Sequence, residues 1–169
     1  FNDIKLYAEE SEKENLEFQL NSIFKSPSQT SYFDIAKIFY KVFFHAQFIE
    51  AIDLHGTSSA MKLDLNLPHD LGKQFDCIVN LGTAEHVFNV FQVFNSIHEW
   101  LKKDGIFIHH LPMYGEIDHG FYNFHPTFLY DLSLANKYQN IIVAKATMNK
   151  IKCSPMLSVV DGSKGDDSR

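Results

Sequence analysis

The stretch FDCIVNLGTAEHV, residues 75–87, decides the fold of this chain of 169 residues. It begins inside a continuous apolar run over residues 74–80, which is typical of a parallel strand buried on both faces. The run ends in a turn made by Asn80, Leu81 and Gly82. Because Gly82 carries no side chain, it would let the backbone come close to a ligand. The stretch therefore predicts a buried strand that ends in a ligand-facing turn.

Helix and strand predictions alternate on both sides of this stretch. Helices are predicted over residues 32–45, 83–102 and 126–135, and strands over 48–53, 61–65, 74–80, 106–110 and 141–147. A tight turn is predicted over residues 102–105, and a long aromatic loop over 112–126. Strands that alternate with helices imply a parallel or mixed sheet with helices packed on it. The predicted fold class is thus α/β, a Rossmann-like mostly parallel sheet with flanking helices.

Composition agrees with one folded domain. The chain is 45% hydrophobic and 21% charged, which is ordinary for a protein with a real core. We expect a single domain over residues 1–153, whose residues 1–30 form an irregular or helical N-terminal extension. Residues 154–169 are predicted to be a disordered tail. Because the chain starts at Phe1 rather than Met, we expect a fragment or a processed chain.

Charge and hydropathy disfavour two classes of partner. The net charge is −6 and no Lys/Arg cluster is present, which disfavours nucleic acid as a direct partner. No apolar run approaches the roughly 20 residues of a membrane helix, and the polar, acidic N-terminus does not resemble a signal peptide. Cys77 and Cys153 are too few for a disulfide framework. The sequence therefore predicts a cytoplasmic protein with a small-molecule partner, and it leaves the oligomeric state open.

Three motifs in order carry a resemblance to a known family. They are FDCIVNLGTAEHV at residues 75–87, WLKKDGIFIH at 100–109 and HGFYNFHP at 119–126. They resemble the "fD" strand with its "EHV" turn, the "LKPGG" turn with the next strand, and a "GHGFYxFxP" segment of class I S-adenosylmethionine (SAM)-dependent methyltransferases. The resemblance covers residues 48–147. It implies a Rossmann-like fold, SAM as the cofactor and methyl transfer as the reaction.

The chain departs from the family pattern in two places. The family's first strand usually ends in a glycine-rich loop, but residues 1–30 contain no glycine. We expect that this loop was lost or lies upstream of Phe1. In the second motif Lys-Asp-Gly replaces Pro-Gly-Gly, which leaves Gly105 for the left-handed backbone position.

The resemblance implies a set of cofactor-binding residues. Asp53 corresponds to the acid that accepts from both ribose hydroxyls, and Asp64 to the acid that accepts from the adenine amino group. The predicted cofactor-binding residues are Asp53, Leu54, Asp64, Leu65, Asn80, Leu81, Gly82, Glu85 and His86. Glu85 and His86 fall in the first turn of the predicted helix and are expected to line the pocket. The alternatives are a loop-capping role for Asp53, a turn role for Asp64, and stabilisation of Glu85 by the helix dipole.

The aromatic loop and the strand before it supply the predicted substrate side. His109, Tyr114, Phe121 and Tyr122 are the predicted substrate-binding residues, and His119 is the predicted catalytic base. Methyl transfer itself depends mainly on in-line positioning of the nucleophile. The alternative is a loop folded on its own aromatic cluster.

The same segment contains His109, His110, Asp118, His119 and His125, which suggests a metal site. Their spacing fits no standard zinc pattern, and His109 and His110 are adjacent on a strand and point to opposite faces. The sequence therefore predicts no metal.

The sequence favours a SAM-dependent methyltransferase that acts on a small-molecule or sugar-like acceptor. A non-catalytic methyltransferase-like scaffold, or binding module without cofactor binding, remains as an alternative because the glycine-rich loop is missing. A metal-dependent hydrolase that uses the His-rich segment is the third hypothesis.

Overall fold

The structure is a computed structural model that describes residues 10–26, 28, 31–115, 117–139, 141–147 and 150–158. The chain divides into an N-terminal unit, Phe1–His69, and a C-terminal unit, Asp70–Arg169. The single domain predicted over residues 1–153 stays a prediction. Residues 159–169, most of the predicted tail, lie outside the described residues.

Two helices form the core of the N-terminal unit. A short 3-10 turn, Glu10–Glu12, leads into α1 (Lys13–Lys25), and α2 covers Ser31–Phe44. The second helix confirms the prediction over residues 32–45. Leu16 and Leu20 of the first helix pack with Ile38 and Val42 of the second, and all four are buried. The pairs are spaced four residues apart, so each lies on one face of its helix.

The two strands predicted over residues 48–53 and 61–65 are reduced to one parallel bridge, between Ile52 and Met61. The Asp53 amide donates to the Met61 carbonyl at 3.0 Å, and the Met61 amide donates to the Ala51 carbonyl at 2.8 Å. Three residues on, the Asp64 carboxylate accepts from the Asn66 amide at 2.9 Å. This bond starts a turn, so the extended backbone after Met61 is too short to form the predicted strand.

A parallel pair of strands lies in the C-terminal unit. β1 covers Phe75–Leu81 and β2 covers Leu101–His110, and both are confirmed at the predicted places apart from the start of β2. Leu101 and Lys102 were predicted to end the preceding helix, but they already belong to β2.

The turn predicted over residues 102–105 is an irregularity inside β2. Phe75 pairs with Leu101 whereas Cys77 pairs with Ile106, so β2 advances five residues while β1 advances two. The left-handed residue is Asp104, with φ = 63°, and not Gly105 as predicted. Gly105 is needed for space instead, because a Cβ there would lie 2.9 Å from the Lys102 carbonyl oxygen.

The helix predicted over residues 83–102 is shorter than expected. A 3-10 turn, Ala84–His86, precedes α3, which covers Val90–Trp100. Its buried face contains Val93, Phe94, Ile97 and Trp100, whereas Phe91 is exposed. The helix packs against β2, which it immediately precedes.

The last elements are α4 (Pro126–Ala135), β3 (Ile142–Thr147) and β4 (Lys150–Ser158). The fourth helix has the predicted bounds because Pro126 fits the first turn and the His125 side chain accepts from the Thr127 amide. β3 is confirmed and pairs with β4 antiparallel. Among the described residues the sheets are therefore one parallel and one antiparallel pair, and the fold is mixed α/β. None of the helices described is both long and apolar enough to cross a membrane.

Candidate functional site

The carboxyl end of β1 is shaped by Gly82. Its φ of 63° lies in the left-handed region, which glycine adopts at little cost. The Gly82 amide donates to the His110 carbonyl at 3.0 Å, which ties the turn to the end of β2. A Cβ at this position would stand 3.4 Å from Glu85 Oε1, so the turn passes close to that carboxylate.

Asn80 fixes the turn from inside. Its side chain is buried, and its Oδ1 accepts from the Ala84 amide at 3.3 Å. The amide nitrogen Nδ2 therefore faces His109 Nδ1, 3.0 Å away, and donates to it. Because Nδ1 accepts, the ring proton of the neutral imidazole sits on Nε2. Asn80 thus connects β1, the following turn and β2 through one side chain.

His109 is half-buried and neutral. Its ring packs against Phe94 and Phe107, with centroids 5.1 Å from each. Desolvation by burial lowers the pKa of His109 to about 4, so the imidazole is uncharged at neutral pH. His110 points to the exposed side, as strand alternation predicted. The contacts of His109 explain its presence without a substrate.

A cluster of three side chains surrounds the Glu85 carboxylate. Glu85 is 1% exposed, whereas His86 and His119 are nearly half exposed. Glu85 Oε1 lies 3.5 Å from His119 Nε2 and 3.9 Å from His86 Nε2. The two imidazole rings are 4.8 Å apart. The second oxygen, Oε2, is buried and has no hydrogen-bond partner among the residues that the structure describes.

The secondary structure beneath this cluster differs from the prediction. Glu85 and His86 lie in the 3-10 turn Ala84–His86, four residues before α3 begins at Val90, and not in the first turn of a long helix. The helix dipole of α3 therefore does not explain Glu85. The position of Glu85 is explained instead by the contacts of its carboxylate with the two imidazoles.

The aromatic loop places His119 beside Glu85. The Phe121 amide donates to the Glu85 carbonyl at 2.7 Å, and the Tyr122 hydroxyl donates to the Phe88 carbonyl at 2.6 Å. Gly120 lies against the same residue, because a Cβ there would be 2.8 Å from the Glu85 carbonyl oxygen. These contacts bring together two parts of the sequence that are far apart, and they leave the imidazole of His119 at the surface.

The rest of the aromatic loop contains exposed, half-buried and buried aromatic residues. Tyr114 and Phe121 are largely exposed, as a substrate-facing residue requires, and Tyr122 is half-buried. Phe124 is buried and packs edge-on against Phe94. The loop is therefore anchored by its own aromatic residues and presents others to solvent.

The two acids predicted to bind the cofactor lie in the N-terminal unit. Asp53 is exposed, and its Oδ1 accepts from the His55 amide at 3.0 Å. Asp64 Oδ1 accepts from both the amide and the side chain of Asn66, and these bonds lower the pKa of Asp64. Both acids thus form the local hydrogen bonds expected for a loop-capping Asp53 and a turn-forming Asp64.

Leu54 and Leu65 flank these acids. Leu54 is exposed and Leu65 half-buried. The structure thus brings Asn80, Leu81, Gly82, Glu85 and His86 together with His109 and the aromatic loop in the C-terminal unit. The remaining four predicted cofactor residues are grouped in the N-terminal unit.

The C-terminal unit contains a cavity that was not predicted from the sequence. It has a volume of about 230 Å³ and lies between α3, β2 and α4. Aromatic and aliphatic side chains line most of it, among them Phe94, Phe107 and Leu132. His98 Nδ1 and the Tyr138 hydroxyl, 2.6 Å apart, form its polar edge. Of the predicted site residues only His109 lines this cavity. The helical spacing of the apolar residues in α3 was the one feature of the sequence that bears on the cavity.

No protein-family model, no curated protein and no solved structure matched the chain.

Proposed function

We propose that the chain is a Rossmann-like, SAM-dependent methyltransferase domain that acts on a small-molecule or sugar-like acceptor in the cytoplasm. One observation carries the proposal. β1 and β2 are parallel, and α3 lies between them in sequence. At its carboxyl end β1 leads into the turn that contains Gly82 and Glu85, and Asn80 is the last buried residue of β1. Ligands of parallel α/β sheets bind at that end of the strands. The order of the three sequence motifs supports the same function.

The resemblance assigns recognition of the nucleoside part of SAM to Asp53 and Asp64. Each turn-forming bond occupies Oδ1 of its aspartate. A carboxylate has lone pairs on both oxygens, so Asp53 can still accept from ribose hydroxyls. The bonds from Asn66 favour the ionised form of Asp64, the form that accepts without donating.

Two amides of the turn after β1 are not available as donors to the methionine part of SAM. The Gly82 amide is already bonded to the His110 carbonyl, and the Ala84 amide to Asn80 Oδ1. In the family that the chain resembles, a glycine-rich loop supplies such donors. Here a helix N-terminus would have to contribute further amides.

On the acceptor side, His119 is the proton acceptor of the proposed reaction. The Glu85 carboxylate, 3.5 Å from His119 Nε2, would orient the imidazole, as a carboxylate does for the base of a catalytic pair. Bound SAM would supply the methyl group, and His119 would take the proton that the acceptor gives up. In-line positioning by the aromatic loop contributes the larger part of the rate.

Calorimetry with SAM and with S-adenosylhomocysteine tests the proposal. We expect one binding event per chain, and Asp53→Ala and Asp64→Ala should each weaken it about tenfold or more, because a hydrogen bond to a charged group contributes about 1.5–3 kcal/mol. Asp70→Ala is the matched control. Asp70 is exposed and makes the same type of turn bond, to the Gly72 amide at 2.8 Å.

Folded protein that gives no heat with either ligand at millimolar concentration would contradict the proposal and favour the non-catalytic scaffold. If all three variants bind SAM as tightly as the unmodified chain, Asp53 and Asp64 only stabilise their turns and do not contact the cofactor.

A further inference from the structure

The three side chains around the Glu85 carboxylate form a set of metal ligands. One ligand atom from each of Glu85, His86 and His119 lies within 4.8 Å of the other two. Two imidazoles and one carboxylate are the ligands that first-row transition metals accept, whereas magnesium and calcium take oxygen ligands. We propose that Glu85, His86 and His119 bind one divalent first-row transition-metal ion. Zinc is the ion whose geometry is compared below and which is used in the test.

The distances fit an ion after a small movement of side chains. With bonds of about 2.0–2.2 Å, the ligand atoms of a tetrahedral zinc site stand about 3.3–3.6 Å apart. Glu85 Oε1 and His119 Nε2 are already 3.5 Å apart, and His86 Nε2 is 3.9 Å from the same oxygen. Both histidines are nearly half exposed, so their rings can turn inward by the remaining distance without repacking the core.

The burial of Glu85 is an independent indication. A carboxylate that is 1% exposed needs partners for both oxygens, yet Oε2 has none among the described residues. A cation at the cluster would offset the cost of burying this charge. The loop contacts the Glu85 backbone closely at Gly120, and the Phe121 amide donates to the Glu85 carbonyl. These backbone contacts hold His119 next to Glu85.

Three protein ligands leave at least one coordination position open. Catalytic zinc sites have this composition, and the open position takes water or a substrate oxygen. The exposed imidazoles place that position on the solvent side of Glu85. With the ion bound, His119 is a ligand and no longer the proton acceptor; the ion would lower the pKa of a coordinated acceptor hydroxyl, which would then release its proton to water. Metal binding does not depend on the proposed binding of SAM.

The test is calorimetric titration of EDTA-treated protein with Zn²⁺, in the absence of SAM, together with absorption spectra of the Co²⁺ form. We expect one equivalent of Zn²⁺ and visible Co²⁺ bands of a four- or five-coordinate site. His86→Gln and His119→Gln should each weaken binding by about 100-fold or more, because even the loss of an outer-shell partner costs about 10- to 100-fold. Both positions are exposed, so the variants should fold. Glu85→Gln tests the third ligand where circular dichroism shows that it folds.

His110→Gln is the matched control, since His110 is an exposed histidine on β2 that lies outside the cluster. It should leave the zinc affinity unchanged. The proposal is overturned if the protein takes up no Zn²⁺, or if the double variant His86→Gln/His119→Gln keeps the affinity of the unmodified chain. In either case the two histidines would pair with the Glu85 carboxylate without binding a metal ion. Because SAM is absent, failure here is distinguishable from failure of SAM binding.

Discussion

Acidification should destabilise this protein through His109. Burial lowers the pKa of His109 from 6.5 to about 4 in the folded chain. Above pH 6.5 the imidazole is neutral in both states, so its full contribution to stability is present. Between pH 6.5 and 4 the unfolded chain binds a proton that the native chain does not, and the free energy of unfolding falls. Below pH 4 both states are protonated, and the loss is complete.

The size of this effect follows from the shift. One pKa unit corresponds to about 1.36 kcal/mol, so a difference of about 2.5 units amounts to about 3 kcal/mol. Small domains have a total stability of about 5–15 kcal/mol, so the loss would be a large fraction of it. The structural cause is specific, because protonation of Nδ1 would also break the bond that it accepts from Asn80.

Urea unfolding at a series of pH values, with His109→Gln beside the unmodified chain, measures the effect. The difference in the free energy of unfolding between the two should change by about 3 kcal/mol between pH 7.5 and 4, because the variant lacks the titrating group. His110→Gln, one residue along β2 on its exposed side, should show no such change. A pH-independent difference would refute the reasoning. So would an NMR titration that placed the pKa of His109 near 6.5.

Two further substitutions test the turn and the loop. Asn80→Ala removes the buried partner of His109 and should cost about 1–3 kcal/mol in urea unfolding; a cost no larger than that of an exposed asparagine would mean that the bonds do not matter. Gly120→Ala places a Cβ 2.8 Å from the Glu85 carbonyl oxygen and should cost about 1–3 kcal/mol. It should also shift the His119 imidazole resonances in NMR spectra, whereas Asn123→Ala, at an exposed position of the same loop, should leave stability and resonances unchanged.

The elements with strong local signals were predictable. The fourth helix begins and ends where Pro126 and the apolar pattern place it, and β1 coincides with the continuous apolar run. The second helix matched within a residue at each end. In each case the residues that decide the element are close together in sequence, so pattern and structure share one cause.

Three secondary-structure predictions were wrong because a local interaction that the hydrophobic pattern does not show decided the backbone. The periodicity of residues 83–102 continued across the 3-10 turn at Ala84–His86, which Asn80 caps from the preceding strand. The strands predicted on either side of residue 57 had no extended pairing beyond the Ile52–Met61 bridge. The left-handed position fell on Asp104 because Gly105 is required for the close approach of Leu101 and Lys102.

The candidate site divides in the same way. The sequence by itself determined which chemistry-bearing residues end the strands, because the apolar run of β1 stops at the turn that carries Asn80, Gly82 and Glu85. It also determined that adjacent histidines on β2 point to opposite sides, since side chains alternate along a strand.

Only the tertiary structure decided which histidines meet. Spacing within the segment from His109 to His125 excluded a standard zinc pattern, and it could not show that His119 pairs with His86, 33 positions earlier in the chain. That meeting depends on hydrogen bonds from the loop to the Glu85 backbone and on a glycine small enough to let the loop approach. Such long-range contacts leave no period in the sequence, because each partner's position is set by a different element.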